Sequence, residues 1–215
     1  MPKPLVPVAG VPLIDRVIAN FRAAGITSLV MIVNEQAQAC RDWVHAQFPD
    51  LDIEIIVKTT RSSLESFREV TRRLAGDRAL VSTVDTVCRP DDFVAFARAA
   101  LRRPADASVL AVTPLVADER PLWVDVGADA RIRRIGGADG THVTAGLYVL
   151  SERARAADPP ALGSLRDFLA WLLEQGEPFY AETIADVVDV DTKSDVVLAE
   201  ALAGASRMNS CGGDR

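Results

Sequence analysis

The sequence predicts an α/β fold in which a mostly parallel sheet carries helices on both faces. Three observations support this. Helical and extended apolar patterns alternate from Leu13 to Leu101, the βα signature of a parallel sheet. After Pro104 the pattern turns to successive extended segments separated by Gly-Ala-Asp turns, which adds sheet. With 215 residues, 49% of them apolar, the chain is long enough for one core burying roughly 70% of the unfolded surface. No internal repeat or interdomain linker interrupts it, so residues 1–206 are expected to form one domain. Residues 207–215, rich in Gly, Ser and Asn, are expected to be a disordered tail.

The elements follow in order. Leu13, Val17, Ile18, Phe21 and Ala24 share one helical face, and Gly25 is placed to end that helix. The run Ser28 to Val33 predicts a buried strand, and Asn34 opens a helix to about Phe48. Asp52 to Val57 predicts a strand, Ser63 to Leu74 a helix, Ala79 to Val84 a strand, and Asp91 caps a helix to about Leu101. Extended segments follow at Ser108–Pro114, Leu122–Val126, Ala130–Ile135 and His142–Leu150. A helix from about Ser164 to Glu174, strands near Pro178–Thr183 and Val187–Val190, and a helix from Thr192 to about Leu202 close the domain. In such a sheet, ligands bind beyond the carboxyl ends of the strands.

Composition narrows the function. A formal charge of −6 and a pI near 5.0 argue against a nucleic-acid partner, which requires a basic face. Cys40, Cys88 and Cys211 are odd in number, widely spaced and free of any C-x-x-C pair, so reduced thiols in a cytoplasmic protein are expected rather than disulfides or zinc. The apolar runs are far shorter than the ~20 residues of a membrane helix, and no membrane partner is expected. His45 and His142 are isolated, and Trp43, Trp123 and Trp171 fall on apolar faces that predict core positions. Lysine occurs only at Lys3, Lys58 and Lys193, so a lysine inside a motif carries weight.

Pro2-Lys3-Pro4-Leu5-Val6-Pro7-Val8-Ala9-Gly10-Val11-Pro12-Leu13-Ile14 resembles P-K-P-L-[VL]-P-V-x-G-x-P-[LM]-I, the segment that follows the glycine-rich G-x-G-T-R loop of sugar-phosphate nucleotidylyltransferases. Val187-Val188-Asp189-Val190-Asp191-Thr192-Lys193-Ser194-Asp195 resembles that family's closing W-[IL]-D-[IVT]-[GDN]-T-P-E-D motif. Val81-Ser82-Thr83-Val84-Asp85 is similar to its strand ending in Gly-Asp, with Val84 where the glycine is usual. The resemblance implies a Rossmann-like three-layer nucleotidyltransferase fold with a mostly parallel mixed sheet. It also implies Mg²⁺ held by Asp85 and Asp189, a need that two carboxylates plus phosphate oxygens meet. Lys3 resembles the lysine that stabilises charge on the triphosphate.

The residues by themselves leave other accounts open. Asp85 is also a turn former, Lys3 an N-terminal lysine, Lys193 a solvated lysine at a helix start, and Lys58 is ambiguous. Asp191, Thr192 or Ser194 caps the last helix, Asp191 being otherwise an outer-shell group, and Asp195 belongs to its first turn. Thr59 to Phe67 takes the place of the family's G-T-A-x-A-L loop, which implies that Ser62 and Ser63 contact nucleotide, although a serine N-cap is an equal account. His142-Val143-Thr144-Ala145-Gly146-Leu147-Tyr148 resembles the strand lining the sugar pocket, which implicates Thr144 and Gly146, and Lys193 is placed to meet phosphate. Gly136-Gly137-Ala138 stands about where the family has E-K-P.

The resemblance therefore implies in-line attack of a substrate phosphate oxygen on the α-phosphorus of a nucleoside triphosphate, with release of pyrophosphate. The acceptor is a sugar 1-phosphate or similar phosphorylated small molecule. The rival reading is a catalytically inactive nucleotide- or sugar-phosphate-binding homologue or partner subunit, and a metal-dependent glycosyltransferase is a third. The chain begins at Met1, two residues before the signature lysine. A start placed too late and a reduced relative are the two accounts. If Met1 is the start, unpaired strand edges predict a marginal, dimeric or aggregation-prone protein with little turnover.

Overall fold

The structure, a computed structural model, describes residues 1–115 and 120–209. A 3₁₀ turn at Lys3–Leu5 leads into a hairpin of β1 (Pro7–Val8) and β2 (Val11–Pro12). Its two-residue turn puts Ala9 at φ 48° and Gly10 at φ 78°, the double positive φ that a tight hairpin needs. The hairpin is anchored: Arg16 donates to Val8 O at 2.5 Å, and Ala9 N donates to Glu200 Oε1 at 3.1 Å. Val8 packs with Leu13, Val87, Val188, Val190 and Ala199. The segment bearing Lys3 is thus held by the opposite end of the chain.

Helix α1 (Leu13–Ala23) buries Leu13, Ile14, Ile18 and Phe21, and Gly25 at φ 81° turns the chain into β3 (Ser28–Val33). Asn34 opens a 3₁₀ turn, Glu35–Ala37, before α2 (Gln38–Gln47), so the expected single helix is divided. β4 (Asp52–Val57) pairs in parallel with β3 from Ser28↔Asp52 to Val33↔Val57. After α3 (Ser63–Thr71), β5 (Arg78–Ser82) enters the large sheet. It is followed by β6 (Thr86–Cys88), α4 (Pro90–Arg102), β7 (Ser108–Thr113), β8 (Trp123–Val126), β9 (Ile132–Ile135) and β10 (His142–Ser151). Then come α5 (Glu152–Ala156), α6 (Leu165–Glu174), β11 (Phe179–Thr183), β12 (Val187–Asp189) and α7 (Lys193–Asn209).

The six-stranded mixed sheet has the order β11-β7-β10-β8-β9, with β5 also on β10. Strands β5, β7 and β8 all run antiparallel to β10, hence in one direction, and β11 is parallel to β7. Among the described residues no ladder joins β3 to β5, yet Leu29 and Val33 share a core with Phe21, Phe93, Val109 and Leu147. Phe21 and Phe93 meet edge to face at 5.2 Å. A second core on the other side of the sheet gathers Leu64, Phe67, Leu110, Tyr148, Phe168 and Phe179. Helices therefore cover both faces of an α/β sheet.

Several expectations shift. Asp91 does not cap α4. Arg89 is the N-cap, because Pro90 is preset for the first helical position, and Asp91 and Asp92 fill the first turn where acids favour the dipole. Trp43 is not core: it is exposed, and its indole Nε1 donates to Asp15 at 2.8 Å. Trp171 does stack on Phe168, at 5.9 Å. β5 ends at Ser82, which leaves Asp85 in the turn between β5 and β6. Cys40 and Cys88 are buried free thiols, and Cys211 lies outside the described residues. Of the expected tail, α7 runs through Asn209, and residues 210–215 lie outside the described residues. Among the described residues no helix is long and apolar enough to cross a membrane.

Candidate functional site

Two short strands bring the aspartates together. β6 and β12 pair antiparallel with Asp189 opposite Thr86, and Val190 N donates to Asp85 O at 3.0 Å. Asp85 and Asp189, distant in sequence, therefore flank one another just past the end of β5. Asp189 Oδ1 accepts from Thr86 Oγ1 at 2.7 Å. Thr86 Oγ1 lies 2.7 Å from Thr83 Oγ1, so the two hydroxyls and the carboxylate form a chain.

Lys3 completes the cluster. Its Nζ donates to Asp85 Oδ2 at 2.6 Å and to Asp191 Oδ1 at 2.5 Å. The Lys3 side chain is 40% exposed, Asp85 26% and Asp191 64%, so the cluster is open to solvent. Partial burial works against the lysine charge, but the Asp191 and Asp85 carboxylates outweigh it and hold the Lys3 pKa above its ordinary value. One ammonium thus bridges two acidic side chains, one from the turn between β5 and β6 and one from the link between β12 and α7.

The start of α7 is a capping box. Thr192 Oγ1 accepts from Asp195 N at 3.4 Å, while Asp195 Oδ2 accepts from the amides of Thr192 at 2.7 Å and Asp191 at 3.0 Å. Burial raises the Asp195 pKa, but these hydrogen bonds and the Lys3 charge bring it below the usual carboxylate range. The cap is therefore Thr192, and Asp191 is left to meet Lys3. Lys193 stands exposed in the first turn of α7.

Ser62 is the N-cap of α3, its Oγ accepting from Glu65 N at 3.2 Å, and Ser63 Oγ accepts from Leu165 N at 3.0 Å. Accepting hydroxyls keep their own proton as donors. Lys58 is engaged by Glu69 at 2.9 Å and Glu65 at 3.6 Å, away from the aspartates. At the Gly136-Gly137-Ala138 turn, Gly136 and Gly137 have φ of 96° and 99°, and the guanidinium of Arg134 closes the turn by donating to Gly136 O at 2.7 Å.

β10 breaks register between Thr144 and Tyr148, and within that bulge Gly146 has φ 66°. The missing Cβ of Gly146 faces the site: added there, it would collide with Thr86 Oγ1 and come within 2.9 Å of Thr83 Oγ1. Tyr148 is buried beside the site, and burial, with a contribution from the charge of Asp189, pushes its pKa up to about 12 despite a hydrogen bond with Thr144. Tyr148 thus stays a neutral phenol. Thr83 and Thr86 are not visible as site residues in the sequence, because the carboxylate that Thr86 meets, Asp189, lies 103 residues away.

The arrangement juxtaposes oxygen donors of the kind that hard divalent cations take, beside a lysine charge. Among the described residues no group of three or more His, Cys, Asp or Glu converges as a ready metal cage. Two carboxylates nonetheless suit a cation that keeps its water and phosphate ligands, and the Lys3 ammonium already occupies a cationic position against Asp85.

Comparison with known proteins bears on the family and the fold. Residues 1–156 match the family model of the MobA-like NTP transferase domain. The bifunctional IPC transferase and DIPP synthase of Rubrobacter xylanophilus is 30% identical over 93% of this chain and 47% of its own length. The CMP-5'-(3-aminopropyl)phosphonate synthase of Streptomyces rubellomurinus is 27% identical over 86% of this chain and 30% of its own length. The chain thus spans less than half the length of these curated relatives. The inositol-1-phosphate CTP transferase of T. maritima superposes with a TM-score of 0.80 at 15% identity, covering 94% of this chain and 87% of that one. HddC of Yersinia pseudotuberculosis superposes with a TM-score of 0.74 at 19% identity, covering 94% and 89%. These two structural likenesses establish the α/β nucleotidyltransferase fold.

Proposed function

The chain belongs to the MobA-like NTP transferase domain family, and from that premise we propose that it transfers a nucleotidyl group from a nucleoside triphosphate to a phosphorylated small molecule, with release of pyrophosphate. A sugar 1-phosphate or related polyol phosphate is the acceptor class. CTP is the favoured donor, since cytidine nucleotides stand in the names of the Streptomyces relative and the T. maritima structure. The observation that carries the reading is that the segments bearing Asp85 and Asp189 meet at the end of β5 with Lys3 paired to Asp85, where a sheet of this type receives its ligand.

The chemistry is an in-line displacement. An oxygen of the acceptor phosphate forms a bond to the α-phosphorus, and the bond from that phosphorus to the bridging oxygen of pyrophosphate breaks. No side-chain nucleophile is required. Asp85 and Asp189 would hold Mg²⁺, which when bound neutralises charge on the triphosphate and the leaving pyrophosphate. Lys3, on an anchored turn, adds a fixed positive charge to the same edge. Thr144, Gly146 and Lys193, with Ser62 and Ser63, are the proposed substrate-binding residues around this centre.

The test is pyrophosphate release by the protein expressed from its own locus, with CTP, UTP, GTP or ATP paired with a panel of sugar and polyol 1-phosphates. Release that needs Mg²⁺ and one nucleotide supports the reading. A second reading, nucleotide binding without turnover, is favoured by the Lys3 ammonium being held by both Asp85 and Asp191. Tight Mg²⁺-dependent nucleotide binding with no release under any pairing would select it.

A further inference from the structure

The hydroxyls behind Asp189 form a directional device. An ionised carboxylate only accepts, so the 2.7 Å contact uses the single hydroxyl proton of Thr86 to donate to Asp189 Oδ1. The 2.7 Å contact between Thr83 and Thr86 must then use the proton of Thr83. The order is fixed: Thr83 donates to Thr86, and Thr86 donates to Asp189. Thr86 is 2% exposed, so water does not compete for its hydroxyl. The device also has a built space, because the bulge in β10 presents a glycine where any Cβ would strike the Thr86 hydroxyl.

We propose that Thr86, primed by Thr83 and accommodated by Gly146, is a positioning residue that fixes the Asp189 carboxylate for the divalent cation. The inference rests on the proposed role of Asp189 as a metal ligand and adds what aims it. A ligand carboxylate held by a hydrogen bond from a neighbouring hydroxyl needs no reorientation when the cation arrives, and loss of such partners typically weakens metal affinity 10–100-fold. Gly146 then has a second reason to be glycine besides substrate approach. Alanine there would displace Thr86, and its positive φ already disfavours a side chain.

The test is Mn²⁺ binding followed by water-proton relaxation and electron paramagnetic resonance, in the presence of CTP and independent of turnover. It compares the unmodified protein with Thr86→Val, Thr86→Ser, Thr83→Val and Asp189→Asn. Thr86→Val keeps the shape and removes the proton. It is expected to weaken Mn²⁺ binding at least about tenfold, with Thr86→Ser within about threefold of the unmodified protein. Thr83→Val is expected to give a smaller loss. Gly146→Ala should behave as Thr86→Val in the same titration, and circular dichroism melting identifies any variant that fails to fold. Equal Mn²⁺ affinity in folded Thr86→Val and the unmodified protein overturns the positioning role alone, provided Asp189→Asn loses the ion. No Mn²⁺ binding by the unmodified protein, or full binding by Asp189→Asn, overturns both this inference and the metal reading beneath it.

Discussion

The two ends of β5 use the same chemical kit in opposite ways. At its start, Glu177 is 3% exposed and accepts from Ser108 Oγ at 2.7 Å, Ser151 Oγ at 2.6 Å and Arg153 Nε at 2.9 Å. Arg153 Nη2 adds an ion pair at 2.7 Å. Carboxylate, hydroxyls and cation are thus closed on one another, tying β7, β10, α5 and the turn before β11. At the other end, Asp189, Thr86, Thr83, Asp85 and Lys3 present the same groups, but one cation is shared between two acids, and those carboxylates, Asp85 at 26% and Asp191 at 64% exposed, are open to solvent where Glu177 is not. A buried charge must have its partners built in, whereas an exposed cluster can exchange one cation for another. The first arrangement is suited to holding a fold and the second to receiving a ligand.

The sharpest way to break this contrast is Glu177→Ala. It strands two buried hydroxyls, while Arg153, 63% exposed, turns to water, and should lower unfolding stability by about 1–3 kcal/mol for each stranded hydroxyl, read from urea midpoints. Affinity for Mg·CTP per folded molecule should not change. A loss of binding without a loss of stability would mean that the two ends are coupled through β10.

Asp85→Asn should do the reverse. The melting temperature should stay within a few degrees of the unmodified protein, while the nucleotidyl-transfer rate falls about 10²–10³-fold, the loss expected when charge stabilisation worth several kcal/mol is removed. Retained turnover would move the cation to other ligands.

Two smaller effects sharpen the account of the helix starts beside the site. Ser62→Ala removes the α3 cap and should cost about 1 kcal/mol in stability. A change in the KM for nucleotide of tenfold or more would add a direct substrate role for that hydroxyl. Asp195→Asn tests the cap of α7 through pH. The carboxyl pKa is depressed in the folded state, so its contribution is present above the unfolded carboxylate value and lost as pH falls through the lower folded value. The variant should be less stable than the unmodified protein by under about 1 kcal/mol at pH 7, and the gap should close in acid, as followed by thermal melts from pH 7 to pH 2.

Legibility in the sequence followed the range of the interactions. β3 and β4 were readable to the residue, because the apolar run of β3 and the Ile-rich stretch of β4 are bounded by Gly25, Asn34 and the turn at residues 49–51. α3 and α6 were readable from Ser62 and Ser164, whose hydroxyls make the capping bonds. β6 was not, since three residues carry no periodicity and its partner β12 lies about a hundred residues on. The start of α4 was misjudged because proline geometry outranked an aspartate cap. Within the site, Asp85 stood out by its place at a strand end and Asp189 by the resemblance of its segment to a closing motif. Thr83 and Thr86 did not, because a threonine in a turn looks the same whether or not a distant carboxylate meets it.

The most direct measurement is the affinity for CTP by isothermal titration calorimetry, with and without Mg²⁺, for the unmodified protein, Asp189→Asn and Glu177→Gln. The account predicts Mg²⁺-dependent binding by the unmodified protein and by folded Glu177→Gln, weakened at least about tenfold in Asp189→Asn. Equal Mg²⁺-dependent binding by Asp189→Asn and the unmodified protein would contradict it.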